Sequence, residues 1–95
     1  MSTQSFPIAK FRLGHIVSTP NALSQLTQDD ILLAIQRHQA GDWGDVDEDD
    51  RKKNELSLEQ GFRLFSVYHA VSGVKFRLTT EADRSVTTVL MSEDY

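Results

Sequence analysis

Six of the fourteen acidic side chains fall between positions 42 and 50, in "DWGDVDEDD", and no base stands among them. Carboxylates this dense can hold a divalent cation, cap a helix, or present charge to a basic partner. Asp45, Asp47 and Asp49 have the alternate spacing of the first three ligands of an EF-hand loop. The match lapses at Asp50, where that loop needs glycine, and at Leu56, where it needs a bidentate glutamate. Capping explains more of the acids. Asp47 stands at an N-cap, and Glu48, Asp49 and Asp50 meet the positive end of the helix dipole. Asp42 and Asp45 are left over, on either side of Trp43, which is itself set between Gly41 and Gly44. The indole has two readings. It folds over the core edge as a lid, because so large a ring gains by burial, or it anchors a docking face inside an acidic collar. The second reading makes Asp42, Trp43, Asp45, Asp47, Glu48, Asp49 and Asp50 the contact surface for a protein partner with a basic surface.

The bases supply an alternative. In "TTEADRS", residues 79–85, Glu81, Asp83 and Arg84 sit in a tight strand connection. Acids and hydroxyls in such a turn commonly bond local backbone. Placed near Arg63 or Arg77, Arg84 would instead help to form an anion site, and Arg63, His69, Arg77 and Arg84 are its candidate residues. His15, His38 and His69 fall on three different elements, so nothing in their spacing assembles a metal or catalytic triad. His38 suits a helix C-terminus, which favours positive charge. No nucleophile motif, phosphate loop or zinc signature occurs, so no residue is assigned a catalytic role and no cofactor or metal is expected.

These groups need a scaffold, and 95 residues make one domain with a modest core. The expected division is a flexible tail over residues 1–8 and a single domain over 9–95. No apolar run exceeds the five residues of 31–35, too short for a membrane helix. The N-terminus lacks the pattern of a secretory signal, and the absence of cysteine fits a reducing, cytoplasmic setting. A net charge of −4 argues against bulk nucleic-acid binding. Without the acids of the 42–50 stretch the balance would be about +2, so one acidic pole faces a mildly basic remainder.

"FRLGHIVST" reads as a strand with a bend at Gly14, and "NALSQL" as a short helical turn. "LTQDDILLAIQRHQAG" predicts a helix with a Thr27–Asp30 capping box, a Leu26–Ile31 staple, a buried stripe of Ile31, Leu32 and Ile35, and Gly41 at its end. "DVDEDDRKKNELSLEQG" predicts a second helix, solvent-facing, attached through Leu56 and Leu58 and ended by Gly61. Three strands follow: "FRLFSVYHA" and "VKFRLTT" around a turn, then "SVTTVLM". The expectation is an α+β fold, an antiparallel sheet of the N-terminal strand and a C-terminal three-stranded meander, with two helices on one face.

The segments "FRLGHIVSTPNAL", "HQAGDWGDVDEDD", "KNELSL" and "TEADRSVTTVLM…EDY" resemble a family of short, functionally uncharacterised bacterial proteins. Its members often occur on plasmids and other mobile elements. The resemblance runs from about residue 11 to Tyr95, is most specific in "GDWG" and "TEADRS", and transfers no catalytic residue. It implies an intracellular bacterial setting and the roles mobile elements require. Three functional readings result. The first is a non-enzymatic inhibitor of a host defence or nucleic-acid-processing complex, of anti-CRISPR or antirestriction type, acting through the acidic surface. The second is a ribonuclease-type toxin with a RelE-like order of elements, an analogy of fold alone. The third is a self-associating accessory domain, a homodimer formed along the last strand.

Overall fold

The structure, a computed structural model, describes residues 9–94; the expected tail over residues 1–8 lies outside them. The chain enters strand β1 (His15–Ser18), then passes through helices α1 (Pro20–Gln25), α2 (Gln28–Gln39) and α3 (Glu48–Gln60). The meander β2 (Leu64–His69), β3 (Lys75–Thr80) and β4 (Val86–Met91) follows, closed by a 3-10 turn over Ser92–Asp94. The class is α+β, as the patterning predicts, with one four-stranded sheet in the order β1-β4-β3-β2.

The sheet is mixed rather than antiparallel. β1 runs parallel to β4, with Val17 opposite Thr88. The helical excursion returns the chain to the end of the sheet where β1 began, so β2 repeats the direction of β1 along the far edge. The meander then reverses twice and delivers β4 beside β1 in the same sense. β1 is also shorter than expected. Gly14, at φ +66°, bends the chain against the Ser85 carbonyl. Residues before it run beside α2, where the Lys10 amide donates to the Gln39 carbonyl.

Alternation fixes the faces. Phe76, Leu78 and Thr80 of β3 and Thr87, Val89 and Met91 of β4 are buried together with Leu64, Ser66 and Tyr68 of β2. Ala22 of α1 and Leu26 and Ala34 of the α1–α2 segment pack on that face, with Ile31 and Ile35 partly buried. Val17, Phe65, Val67, His69, Lys75, Arg77, Thr79, Thr88 and Leu90 alternate to the other, more open face, where Val67 is buried and the rest are half-buried or exposed.

The helix caps follow the sequence. Thr27 and Asp30 form the capping box, and the Asp47 side chain accepts from the Asp50 amide. The buried stripes differ. On α2, Leu32 is exposed and His38 is buried, because the polar face of the sheet beneath gives the imidazole partners. α3 attaches through Asn54 and Ser57 rather than through Leu56, which is exposed. It flanks the β2 edge instead of lying on a sheet face: Asn54 donates to the Phe65 carbonyl and accepts from the Phe65 amide. A side-chain amide thus replaces the neighbouring strand that this edge lacks.

Candidate functional site

The "GDWG" stretch continues the same edge. The Val67 amide donates to the Trp43 carbonyl at 3.1 Å, and the Asp45 amide donates to the Val67 carbonyl at 2.8 Å. Gly44 makes this parallel bridge with Val67, at φ +74° and so close that a Cβ would lie 2.0 Å from the Val67 carbonyl oxygen. The need for glycine is therefore steric as well as torsional.

This geometry turns the indole inward. Trp43 is 3% exposed, stacks on Phe11 and meets the edge of His38. Its Nε1 donates to Glu55 Oε2 at 2.7 Å, satisfying the one polar atom that burial would strand. The outward-anchor reading is corrected: Trp43 is a lid. Asp42 is also structural in part. Its carboxylate accepts from Arg37 at 2.7 Å and from the Gly44 amide, and the guanidinium holds it below the usual carboxylate range.

The remaining acids stay outside. Asp45, Asp47, Glu48 and Asp49 are exposed and Asp50 is half-buried. Asp45 accepts from His69 Nε2 at 3.0 Å and lies 3.9 Å from Lys75 Nζ; the His69 hydrogen bond, then the Lys75 charge, lower its pKa. Asp45 and Asp47 thus have separate duties, one on β2 and the other at the cap of α3. No group of three or more His, Asp or Glu side chains among the described residues is placed to hold a metal ion.

Two adjoining hollows on the open sheet face join the acids to part of the basic set. One, of about 360 Å³, lies among Asp45, Val46, Asp47, Asp50, Phe65, Val67, Lys75 and Arg77. The other, of about 320 Å³, lies beside it among Asp50, Lys53, Asn54, Arg63, Phe65 and Thr79. Together they form a trough along β2, with Phe65 and Val67 as its floor. The 45–50 segment and the start of α3 make one wall, and β3 with Arg63 makes the other. Arg77 places its guanidinium 5.3 Å from the centre of the Phe65 ring. Arg63 pairs with Glu81 at 3.3 Å.

Arg84 is not part of this basic wall. It faces Phe11 on the helix-covered side and donates to the carbonyls of Ser57, Phe62, Glu81 and Ala82. Four such bonds make it a structural tie between α3 and the β3–β4 turn, and the four-residue anion site is not assembled. Asp83 bonds the Ser85 amide and hydroxyl, as turn chemistry suggests.

Comparison of this chain with family models, curated proteins and solved structures gives no match.

The histidines are dispersed. His15 is exposed on β1 and His69 stands at the end of β2. His38 is 0% exposed, between Ser66 Oγ at Nδ1 and Thr80 Oγ1 at Nε2. Thr80 Oγ1 meets Thr87 Oγ1, which donates to the Leu13 carbonyl. That last acceptor sets the direction of the chain: Nε2–H donates to Thr80, Thr80 to Thr87, and Nδ1 accepts from Ser66. The network is complete with a neutral ring. Burial, followed by the charge of Arg84, pushes its pKa down to about 4. The expectation of a charged histidine at the α2 terminus is therefore corrected. Sequence could not reveal this relay, because Ser66, Thr80 and Thr87 come together only through the strand register.

Proposed function

We propose that the protein is a non-enzymatic binding protein that receives a Lys- or Arg-bearing segment of a protein partner in the β2 trough. The observation that carries this reading is the trough: the carboxylates of Asp45, Asp47 and Asp50 line it beside the half-buried Phe65 ring, with Lys75 and Arg77 also in its lining. The half-buried Phe65 ring supplies the apolar contact that the buried Trp43 does not. The acidic wall steers the approach and fixes orientation, as surface charge does at such interfaces. In the setting implied by the family resemblance, the partner is a host defence or nucleic-acid-processing complex whose groove is basic.

The test is a titration of the labelled protein with an arginine-rich peptide, followed by amide chemical shifts at low and high salt. Shifts should centre on residues 45–50, Phe65, Val67 and Lys75, weaken with salt, and disappear in an Asp45→Asn, Asp47→Asn, Asp50→Asn variant. Asn at position 47 keeps the helix cap, so the variant removes charge without removing the cap. Equal binding by that variant, or shifts confined to another surface, would refute the trough as the docking site.

A further inference from the structure

The two edges of the sheet are treated differently. On β2 the outward backbone groups of Phe65 and Val67 are all engaged, by Asn54 and by the Trp43–Asp45 segment. On β1 the His15 and Thr19 amides donate toward β4, to the Ser85 and Val89 carbonyls at 2.9 and 3.0 Å. Parallel pairing engages alternate residues, so the amides and carbonyls of Ile16 and Ser18 point away from the sheet. No other strand flanks them among the described residues. Shortness is one protection of an edge, and β1 has it with four residues; the others along a strand are a lysine, an inward charge, a proline or a bulge. "HIVS" has none of them, and Ile16 and Val17 are each 46% exposed.

We infer that β1 pairs antiparallel with β1 of a second copy of this chain, about a two-fold axis at Val17. The hydrogen-bonding groups choose this register. Ile16 of one copy faces Ser18 of the other, and each such pair exchanges two N–H···O=C bonds, four in all. Val17 meets its own equivalent in the non-hydrogen-bonded position, on the open face, and His15 faces Thr19. The pairing brings no like charges together, which makes the edge complementary to itself. The result is one eight-stranded sheet in the order β2-β3-β4-β1-β1-β4-β3-β2. The last strand, β4, cannot serve as the dimer edge that its composition suggests, because β1 and β3 flank it on both sides. A single edge pair buries less than the ~1,200 Å² of a standard interface, so the dimer dissociates on dilution.

Two measurements test this with the full chain. Sedimentation equilibrium of the unmodified protein up to about 0.5 mM should show a mass rising from 10.7 kDa toward twice that value. A lone 10.7 kDa species throughout would overturn the proposal. The chain has no cysteine, so Val17→Cys introduces a single thiol. Facing Cα atoms in a non-hydrogen-bonded antiparallel pair lie about 4.5 Å apart, within disulfide range. Val17→Cys should therefore oxidise to a covalent dimer at least tenfold faster than Val71→Cys, at the 95% exposed hairpin tip. Equal rates would place any dimer elsewhere and overturn the β1 register. Val17→Lys, whose side chain points away from the helix-covered core, should keep the circular dichroism of the parent and sediment as a monomer. If that variant fails to fold, the cysteine pair still decides.

Discussion

At the scale of single residues, burial assigns roles that side-chain type leaves open. Trp43 and His38 share one apolar and polar cluster, and their removal has different signatures. Trp43→Ala empties a ring-sized space, at a cost of about 3–5 kcal/mol; Trp43→Phe keeps most of the volume and should cost less. A urea midpoint within experimental scatter of the parent for Trp43→Ala would contradict the lid assignment. His38 is read through pH. Its folded pKa is about 4 against an ordinary 6.5, so the unfolded chain takes up a proton that the folded chain refuses. Stability is full above pH 6.5 and declines as pH falls toward 4, by about 3 kcal/mol over the interval. Asp30 and Asp42, both held below the ordinary carboxylate value of 3.8, add their losses only at lower pH. Urea unfolding at pH 7, 6, 5 and 4 should show this slope, and His38→Gln should abolish it. A flat profile between pH 7 and 4.5 in the parent would mean that the ring is charged or accessible.

At the scale of elements, the sheet depends on two sealing devices along β2, and each invites a substitution. Asn54→Ala removes both partners of the Phe65 backbone and should cost about 1–3 kcal/mol, with faster exchange of the Phe65 amide. Gly44→Ala forces a Cβ into the Val67 carbonyl and should release the Trp43 loop as a unit. Unchanged protection at Val67 in that variant would refute the bridge. These devices explain which elements were legible in the sequence. Both long helices, their Thr27 and Asp47 caps, the glycine at each C-terminal end and the alternation of Val74, Phe76 and Leu78 are local signals, and the structure follows them. The parallel β1–β4 pairing was not legible, because it depends on the helical excursion returning the chain to its starting end. The exposed α3 helix misled through Leu56, since its attachment uses an amide in place of apolar area. In the candidate site, the acids of the 45–50 wall were legible as a charge run. The half-buried Phe65 beside them was not, because strand alternation does not say which face is left more open.

At the scale of the whole molecule, the first strand is held by the last residues of the chain. β1 lies about seventy residues from its partner β4, so the loop between them must close before this pair forms. The C-terminal turn secures the junction. Asp94 accepts from the Thr19 hydroxyl at 2.6 Å and from the Met91 amide at 2.8 Å. Glu93 accepts from Asn21 and Gln25 of α1, both at 3.0 Å. The Thr19 bond, then the Met91 amide, holds the Asp94 carboxyl below its ordinary 3.8. A depressed carboxyl stabilises above its unfolded pKa and loses that contribution as pH falls through the folded value. The clasp therefore opens at more acid pH than the window of His38, and the two transitions separate along the pH axis. Thr19 also caps α1, so loss of Asp94 frees the hydroxyl but leaves the cap to Ala22 intact. Asp94→Ala together with Glu93→Ala should accordingly loosen β1 and α1 without touching the β2–β3 hairpin. Hydrogen exchange should then accelerate at Val17 and Ala22 while Phe76 and Leu78 keep their protection. Uniform acceleration across all four strands would show instead that the sheet opens as one unit and that the C-terminal clasp has no local role.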